Sequence, residues 1–256
     1  IVHPDVRKML LTAKAYAEGG RAMAMYGAMI AEKAHHHPDD KVRKDSEEIL
    51  GLLTPIVKAF LTDNGFAATN HCMQVFGGHG YIHETGAEQF VRDARINMIY
   101  EGTNTVQALD LLGRKVLGNQ GATLKKFGKE IAVFIEAEGV NEKMAEFINP
   151  LAMLADQMTK FTTEIGFRGF QNADEVGAAA FDYMKVAGHL VFAYMFARMA
   201  QVALQKIAEG NTDPFYQGKL QTARFYFAKL FPETLTLMKT ARNGVKVLLD
   251  TDAALA

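Results

Sequence analysis

The chain has 256 residues, of which 49% are hydrophobic and 22% are charged, and its formal net charge is −1. A chain of this length can bury one large core or two moderate ones. The net charge near zero does not indicate a nucleic-acid partner, because a protein that binds nucleic acid usually has a basic face. The single cysteine, Cys72, excludes an intrachain disulfide and suits a reducing compartment. We expect Cys72 to be a small buried hydrophobe on a helix.

The composition predicts an all-α protein, because prolines are few and long stretches are rich in Ala, Leu, Met, Lys and Glu. A first helix is predicted from Pro4 to about Ala34, and a second starts near Asp40. Residues 118–121 are glycine and polar residues, as is typical of a domain boundary, so we expect one helical bundle over 1–119 and a second over 120–256. Four helices are predicted in the second bundle: Leu124–Glu138, Glu142–Gly166, Glu175–Ala208 and Pro214–Leu249.

Two segments could be taken for a metal site and a membrane span, but each has a commoner explanation as ordinary protein structure. The three histidines and two aspartates of 35–40 lie next to each other before and after a proline, where a solvated turn is more common than a metal site, so no metal is expected. The apolar stretch Leu190–Ala197 is too short to span a bilayer and predicts a buried helix. His189 is expected to be a satisfied core residue, and the neighbouring Phe and Met side chains to be core or subunit interface.

A glycine cluster follows the second helix, in the sequence Gln74-Val75-Phe76-Gly77-Gly78-His79-Gly80-Tyr81. Such glycines end a helix and allow positive φ. They also let successive backbone N–H groups face an anion such as a diphosphate. A plain helix end and turn is the commoner meaning of such a cluster, and both interpretations stay open on this segment alone.

Glu101 follows the apolar residues Ile96, Met98, Ile99 and Tyr100, so its carboxylate is expected at the edge of a core, where burial would make it a better base. The alternative is a carboxylate that is merely stabilised by the N-terminus of the next helix. Thr103 or Asn104 can cap that helix, with Asn104 and Gln107 spaced as a capping pair. Its apolar stripe is predicted to be Val106, Leu109, Leu112 and Val116.

Three motifs in this order resemble the C-terminal helical domain of flavin-dependent acyl-CoA dehydrogenases. They are the glycine segment Gln74 to Tyr81, then Arg92-Asp93-Ala94-Arg95, then Tyr100-Glu101-Gly102-Thr103. The resemblance runs from His3 to about Leu117 and implies a four-helix bundle of that family. The rest of the chain is similar to the extra helical domain of long bacterial members.

By this resemblance, Glu101 is the base that removes the α-proton of an acyl-CoA thioester while the β-hydrogen leaves as hydride to FAD, giving a trans-2-enoyl-CoA. The backbone N–H of Glu101 would help to hold the thioester carbonyl. Tyr100 and Gly102 would line the thioester pocket. Two segments match those that contact the FAD of a neighbouring subunit: Gln74, Val75, Phe76, Gly77 and Gly78, and separately Thr103, Asn104 and Thr105. The position of Thr105 is glutamine in some relatives.

The resemblance also implies partners and a larger protein. The chain starts at Ile1 rather than Met and carries none of the upstream domains of the family. We therefore expect a fragment of a larger enzyme that by itself is inactive and binds FAD weakly or not at all. The implied partners are an acyl-CoA substrate, an electron-transfer flavoprotein as acceptor and further copies in a homodimer or homotetramer, in the bacterial cytoplasm.

Two other hypotheses stay open at this point. One is a flavoprotein of this family with a non-catalytic binding or protective role, including association with DNA. The other is a helical interaction domain with a chance match to the motifs.

Overall fold

The computed structural model describes residues 2–251 and 254. Within these residues all regular structure is helical and no strand occurs, which confirms the all-α class. The α-helices α1 to α10 are Pro4–His36, Asp40–Val75, Ala87–Ile96, Asn104–Leu109, Ala122–Glu138, Ala145–Gln171, Asp174–Ala208, Pro214–Phe225, Glu233–Arg242 and Lys246–Leu249. Helix α4 continues as a π-helix over Asp110–Val116, and α8 continues as one over Tyr226–Leu230.

Helices α1 and α2 form a long hairpin joined by the loop 37–39. Asp39 caps α2, since its side chain accepts a hydrogen bond of 2.7 Å from the backbone N–H of Lys41. Both predicted helix starts are confirmed. Helix α1 runs slightly further than predicted and includes His35 and His36. In the described part of the chain, no group of three or more His, Cys, Asp or Glu side chains could hold a metal ion.

Helix α7 is the central helix, in contact with α1, α2, α4, α6, α8 and α9. Every residue from Val186 to Ala197 is buried, which confirms the predicted core helix. Among the described residues, α7 is the one helix long and apolar enough to cross a membrane, but 78% of its most apolar 18-residue window is buried in the fold. His189 is 1% exposed, and its Nδ1 lies 3.2 Å from the hydroxyl of Tyr226, so it is a satisfied core residue as expected.

The buried core is continuous from the α1–α2 hairpin through α7 to α8 and α9. A close approach lies at Gly19 of α1, where an added Cβ would come within 2.8 Å of the rings of Phe192 and Phe196. The aromatic residues that the sequence assigned to the core or an interface therefore join the N-terminal hairpin to the C-terminal half of the chain.

The single helix predicted over Pro214–Leu249 is wrong. The structure divides this segment at Phe231-Pro232 and again at Gly244, which has a φ of +76°. Proline has no backbone N–H to continue a helix, and a left-handed glycine ends one. The other predicted helices of this half are confirmed as α5, α6 and α7, with α6 starting at Ala145 after a 3₁₀ turn over Glu142–Met144 and running on to Gln171.

Candidate active site

The glycine segment ends α2 as predicted, and two of its glycines are required by the backbone. Gly77 has a φ of +60°, in the left-handed region that favours glycine. A Cβ on Gly80 would clash with the carbonyl oxygen of Met73 and lie 2.8 Å from the Cβ of Phe76. Gly77 and Gly78 have no atom within 4 Å of the position of an added Cβ, so the backbone here is open to a ligand.

This end of α2 extends past the core, because none of residues 71–79 is buried. The expectation that Cys72 is a buried hydrophobe is therefore wrong, and its side chain is exposed. Of the predicted cofactor residues here, Gln74, Phe76, Gly77 and Gly78 are exposed and Val75 is half-buried.

Exposed apolar side chains are concentrated around the candidate site. Helix α3 has no buried residue, and its Phe90 is 68% exposed. The exposed large apolar residues from 76 to 109 are Phe76, Tyr81, Ile82, Phe90, Ile96, Ile99, Tyr100, Val106 and Leu109. Exposed apolar side chains at this density are typical of a surface that another part of a protein or a ligand covers.

Glu101 is exposed, so the expectation that its carboxylate sits at the edge of a core is wrong for this chain. The apolar residues that precede Glu101 do not form a core in the structure, since Ile99 is 48% exposed and Tyr100 is 51% exposed. Gly102 is exposed as well, so the three predicted residues of the thioester site, Tyr100, Glu101 and Gly102, lie together on one open loop.

The backbone of this loop is unusual. Glu101 has a φ of 54° and Gly102 a φ of 79°, so two consecutive residues are left-handed. Glycine adopts this conformation freely, but for a residue with a Cβ it costs roughly 1–2 kcal/mol. In the described chain the only other residue besides glycine with positive φ is Gln120. Strained residues of this kind cluster at functional sites, where the surrounding structure holds them in place.

Hydrogen bonds from three directions hold the loop. The ammonium of Lys58 on α2 donates to the carbonyl oxygen of Gly102 at 2.7 Å. The backbone N–H of Asn104 donates to the carbonyl oxygen of Met98 at 3.1 Å. The side chain of Gln107 donates to the carbonyl oxygen of Glu101 at 3.4 Å. The backbone N–H of Glu101 donates to no acceptor in the described residues and is free to bind a ligand oxygen.

Thr103 caps α4, because its hydroxyl accepts from the backbone N–H of Val106 at 3.4 Å. The predicted capping pair of Asn104 and Gln107 does not form, since Gln107 turns back to Glu101. The predicted apolar stripe is half wrong: Leu112 and Val116 are buried, but Val106 and Leu109 are exposed. The buried face of α4 instead carries Asn104 and Ala108, and the π-helix at residues 110–116 changes the register of the face after it.

The side chain of Asn104 is 5% exposed and points into α2. Its amide donates to the carbonyl oxygen of Ala59 at 3.2 Å, to the hydroxyl of Thr62 at 3.0 Å and to Asp63 Oδ1 at 2.6 Å. Its oxygen accepts from Lys58 Nζ at 2.8 Å. Asn104 is thus the anchor of the Glu101 loop on α2, and any contact it makes with a cofactor would come from its backbone.

Sequence reasoning missed Lys58, Thr62 and Asp63 as parts of this site. Their signal was a polar stripe on an otherwise apolar stretch of α2, with Lys58 and Thr62 one turn apart. Burial lowers the pKa of the Lys58 ammonium and raises the pKa of the Asp63 carboxyl, because it disfavours the charged form of each.

The two predicted cofactor segments are separate surfaces. The segment 103–105 lies against Asp63, whereas Gln74 is 11 residues further along α2, about 16 Å at the rise of an α-helix. Thr103 and Thr105 are exposed. Only an elongated ligand, such as a dinucleotide, could contact both segments of one chain.

Two family descriptions match the chain over consecutive ranges. The family described as "Acyl-CoA dehydrogenase, C-terminal domain" matches residues 1–117, and the one described as "Acetyl-CoA dehydrogenase C-terminal like" matches residues 127–252. The chain belongs to the acyl-CoA dehydrogenase family. This confirms the resemblance to acyl-CoA dehydrogenases that the three motifs indicated.

Several members of the acyl-CoA dehydrogenase family are similar over nearly the whole chain. A 3-methylmercaptopropionyl-CoA dehydrogenase of Ruegeria pomeroyi is 35% identical over 91% of this chain and 40% of its own length. The broad-specificity linear acyl-CoA dehydrogenase FadE5 of Mycobacterium tuberculosis is 29% identical over 96% and 42%. A butyryl-CoA dehydrogenase of Syntrophomonas wolfei is 30% identical over 94% and 40%. The chain therefore spans about two fifths of the length of these relatives.

The fold is also that of a solved member of the family. The structure of Caenorhabditis elegans ACDH-11 in complex with C11-CoA aligns with a TM-score of 0.63 at 19% identity, over 84% of this chain and 34% of that one. At this level of identity the likeness shows the fold alone.

Proposed function

We propose that this chain is the C-terminal part of an FAD-dependent acyl-CoA dehydrogenase, in which Glu101 takes the α-proton of an acyl-CoA thioester. The observation that carries the proposal is the strained conformation of Glu101, a residue with a φ of 54° on an exposed loop that α2 holds in place. A carboxylate kept in such a conformation on an open surface is typical of a functional residue. The family to which the chain belongs, and the dehydrogenase names of its relatives, support the same reaction class.

The residues present fit a flavin cofactor. The open backbone at Gly77 and Gly78 leaves room for a phosphate-bearing group, and Phe76 beside it is 57% exposed. We assign Gln74 to Gly78, and separately Thr103 to Thr105, to FAD of a neighbouring subunit. When bound, FAD would supply the acceptor for the hydride that leaves the β-carbon.

The role of Glu101 in the reaction has two parts. Its carboxylate removes the α-proton, and negative charge then develops on the thioester oxygen. The unpaired backbone N–H of Glu101 can donate to that oxygen, which lowers the energy of the enolate-like transition state. Loss of the β-hydrogen as hydride completes the trans-2 double bond. We assign Tyr100 and Gly102 to the wall of the thioester pocket. A Cβ on Gly102 would lie 2.6 Å from Gln107 Nε2, so glycine here also leaves room for the side chain that holds the Glu101 carbonyl.

The exposed apolar side chains around the loop support a larger protein. We propose that upstream domains and a second copy cover this surface in a homodimer or homotetramer and complete the pocket around Glu101. The isolated chain would then bind FAD weakly and have no dehydrogenase activity. We further propose an electron-transfer flavoprotein as the electron acceptor and the bacterial cytoplasm as the location.

The test is an anaerobic titration of the full-length protein with acyl-CoAs of different chain length and branching, followed by flavin absorbance. We expect bleaching by at least one acyl-CoA, with the matching enoyl-CoA as the product by mass spectrometry. A full-length protein without flavin, or with flavin that no acyl-CoA reduces, would contradict the proposal and favour a binding or protective role.

A further inference from the structure

One ammonium group holds both sides of Thr103. Lys58 Nζ donates to the carbonyl oxygen of Gly102 at 2.7 Å and to Asn104 Oδ1 at 2.8 Å. An ammonium has three donors, and two of them are used here on residues that directly follow Glu101. Lys58 is therefore one of the attachments that hold the loop to the middle of α2.

The second half of this attachment is the amide of Asn104, which lies between the ammonium of Lys58 and the carboxylate of Asp63. The distance from Asn104 Nδ2 to Asp63 Oδ1 is 2.6 Å. Hydrogen bonds to ionised groups are stronger than those between neutral groups, and here an ion stands on each side of one buried amide. Asn104 starts α4, so the arrangement fixes where the helix after the loop begins.

The other hydrogen bonds of the loop do not fix the orientation of the peptide that follows Gly102. The bond from Gln107 to the carbonyl oxygen of Glu101 is long, at 3.4 Å. The carbonyl oxygen of Gly102 has no acceptor role other than toward Lys58 within the described ranges 2–251 and 254. Without the ammonium, the left-handed pair of Glu101 and Gly102 could relax to a more common backbone conformation.

We propose that Lys58 is a positioning residue for Glu101: by holding the Gly102 carbonyl and Asn104, it keeps the Glu101 carboxylate and backbone N–H in the geometry for α-proton removal. This rests on the function proposed above. Lys58 touches neither substrate nor cofactor in this account and acts only through the loop. Geometry of the reacting groups is worth a large factor in rate, since a misplacement of about 1 Å can lower it roughly 100-fold.

The experiment compares variants of the full-length protein by rapid mixing with saturating acyl-CoA under anaerobic conditions. Lys58→Met removes the donors but keeps the length of the side chain. We expect it to lower the limiting rate of flavin reduction roughly 10- to 100-fold while the dissociation constant of the acyl-CoA stays within about threefold. Lys58→Arg keeps donors for both acceptors and should restore much of the rate. Lys44→Met, at an exposed position of the same helix, is the control and should match the unmodified protein.

A pH profile separates positioning from a simple effect of charge. If Lys58 positions Glu101, Lys58→Met lowers the rate by a similar factor at every pH, and the midpoint of the profile does not move. A shifted midpoint with full rate at another pH would overturn the proposal. If Lys58→Met does not fold, Lys58→Gln, which can still serve one acceptor, should give an intermediate rate, and a rate equal to that of the unmodified protein would overturn the proposal.

Glu101→Gln separates this inference from the proposed function. Loss of flavin reduction in Glu101→Gln together with an unchanged rate in Lys58→Met would refute the role of Lys58 alone. An unchanged rate in Glu101→Gln would refute the proposed function itself.

Discussion

The side-chain amide of Asn104 donates a hydrogen bond of 2.6 Å to Asp63 Oδ1, while Asp63 Oδ2 is buried without a partner in the described part of the chain. The carboxylate is thus held on one oxygen and desolvated on the other. Burial raises the pKa of Asp63, and the hydrogen bond from Asn104 only partly opposes this. The polar centre that anchors the Glu101 loop therefore carries an unfavourable charge.

Asp63→Asn should raise the stability of the chain at neutral pH relative to acidic pH. An acid with a raised folded pKa stabilises the fold below its unfolded pKa, and this contribution is lost as the pH rises through the folded value. The unmodified chain loses it and the variant does not. The free energy of unfolding of Asp63→Asn minus that of the unmodified chain, measured by urea titration, should therefore become more positive between pH 4 and pH 7. As a control, Asp156→Asn breaks an exposed pair with Lys160 and should cost under about 1 kcal/mol at pH 7 rather than stabilise the chain. A flat difference for Asp63→Asn between pH 4 and pH 7 would contradict the account.

Glu101→Gly should stabilise the chain while removing activity. Glycine relieves a left-handed strain of roughly 1–2 kcal/mol, and the larger conformational freedom of glycine in the unfolded chain offsets part of this. We expect a net gain of about 0.5–1 kcal/mol in the free energy of unfolding. Gln120→Gly is the matched control, because Gln120 has a φ of 56°. It should give a similar gain in stability and leave activity of the full-length protein unchanged. A loss of stability in Glu101→Gly would show that Glu101 is not strained.

Glu233→Gln should lose stability at neutral pH but not in acid. Its carboxylate lies 3.4 Å from His189 Nε2 and also pairs with Lys185. These contacts lower the pKa of Glu233 to about 2, and the hydrogen bond with His189 has the largest effect. Burial lowers the pKa of His189, because it disfavours the charged form of the ring. A shift of this size corresponds to roughly 3 kcal/mol. Since the side chain of Glu233 is 39% exposed, screening reduces this to about 1–2 kcal/mol.

The stabilisation by Glu233 is present above about pH 4.5 and is lost as the pH falls toward 2. The deficit of Glu233→Gln at pH 7 should therefore shrink over that range in urea titrations. Glu146→Gln breaks an exposed pair with Arg224 and should cost under about 1 kcal/mol. A deficit for Glu233→Gln that is equal at pH 7 and pH 2.5 would disagree with this role.

Two glycines of α7 should respond oppositely to alanine. A Cβ on Gly188 would overlap the ring of Phe60, whereas a Cβ on Gly177 meets no atom within 4 Å. Gly188→Ala should destabilise the chain by about 1–3 kcal/mol through overpacking. Gly177→Ala should stabilise it by about 0.5–1 kcal/mol, because alanine loses less backbone entropy in a helix. Thermal unfolding followed by circular dichroism measures both, and equal midpoints would be inconsistent with the packing of α2 against α7.

Helix periodicity and the punctuating glycines and prolines were enough to predict most of the fold. The failure at Pro214–Leu249 shows the limit of these signals. Pro55 and Pro150 lie inside unbroken helices, whereas Pro232 stands where a helix is interrupted. The same residue type has both outcomes, because the packing around it decides whether the chain continues in line.

The candidate site was predictable only in its local part. The sequence around Glu101 indicated the loop, the cap and the following helix, all of which depend on neighbouring residues. The attachment of Gly102 to Lys58 joins residues 44 positions apart and exists only once α2 and α4 have packed. The exposure of Glu101 also depends on which other parts of the protein pack against the loop, and the apolar residues next to it in sequence do not reveal this.

The most direct test of Glu101 as the base is the single-turnover rate of flavin reduction by acyl-CoA in the full-length protein and in Glu101→Gln. Glutamine keeps the size and the backbone N–H but cannot take a proton. We expect the rate of flavin reduction in Glu101→Gln to fall roughly 100- to 10,000-fold while acyl-CoA binding is retained. Glu136→Gln, at an exposed position of α5, should leave the rate unchanged. A rate for Glu101→Gln within about threefold of the unmodified protein would contradict the central claim.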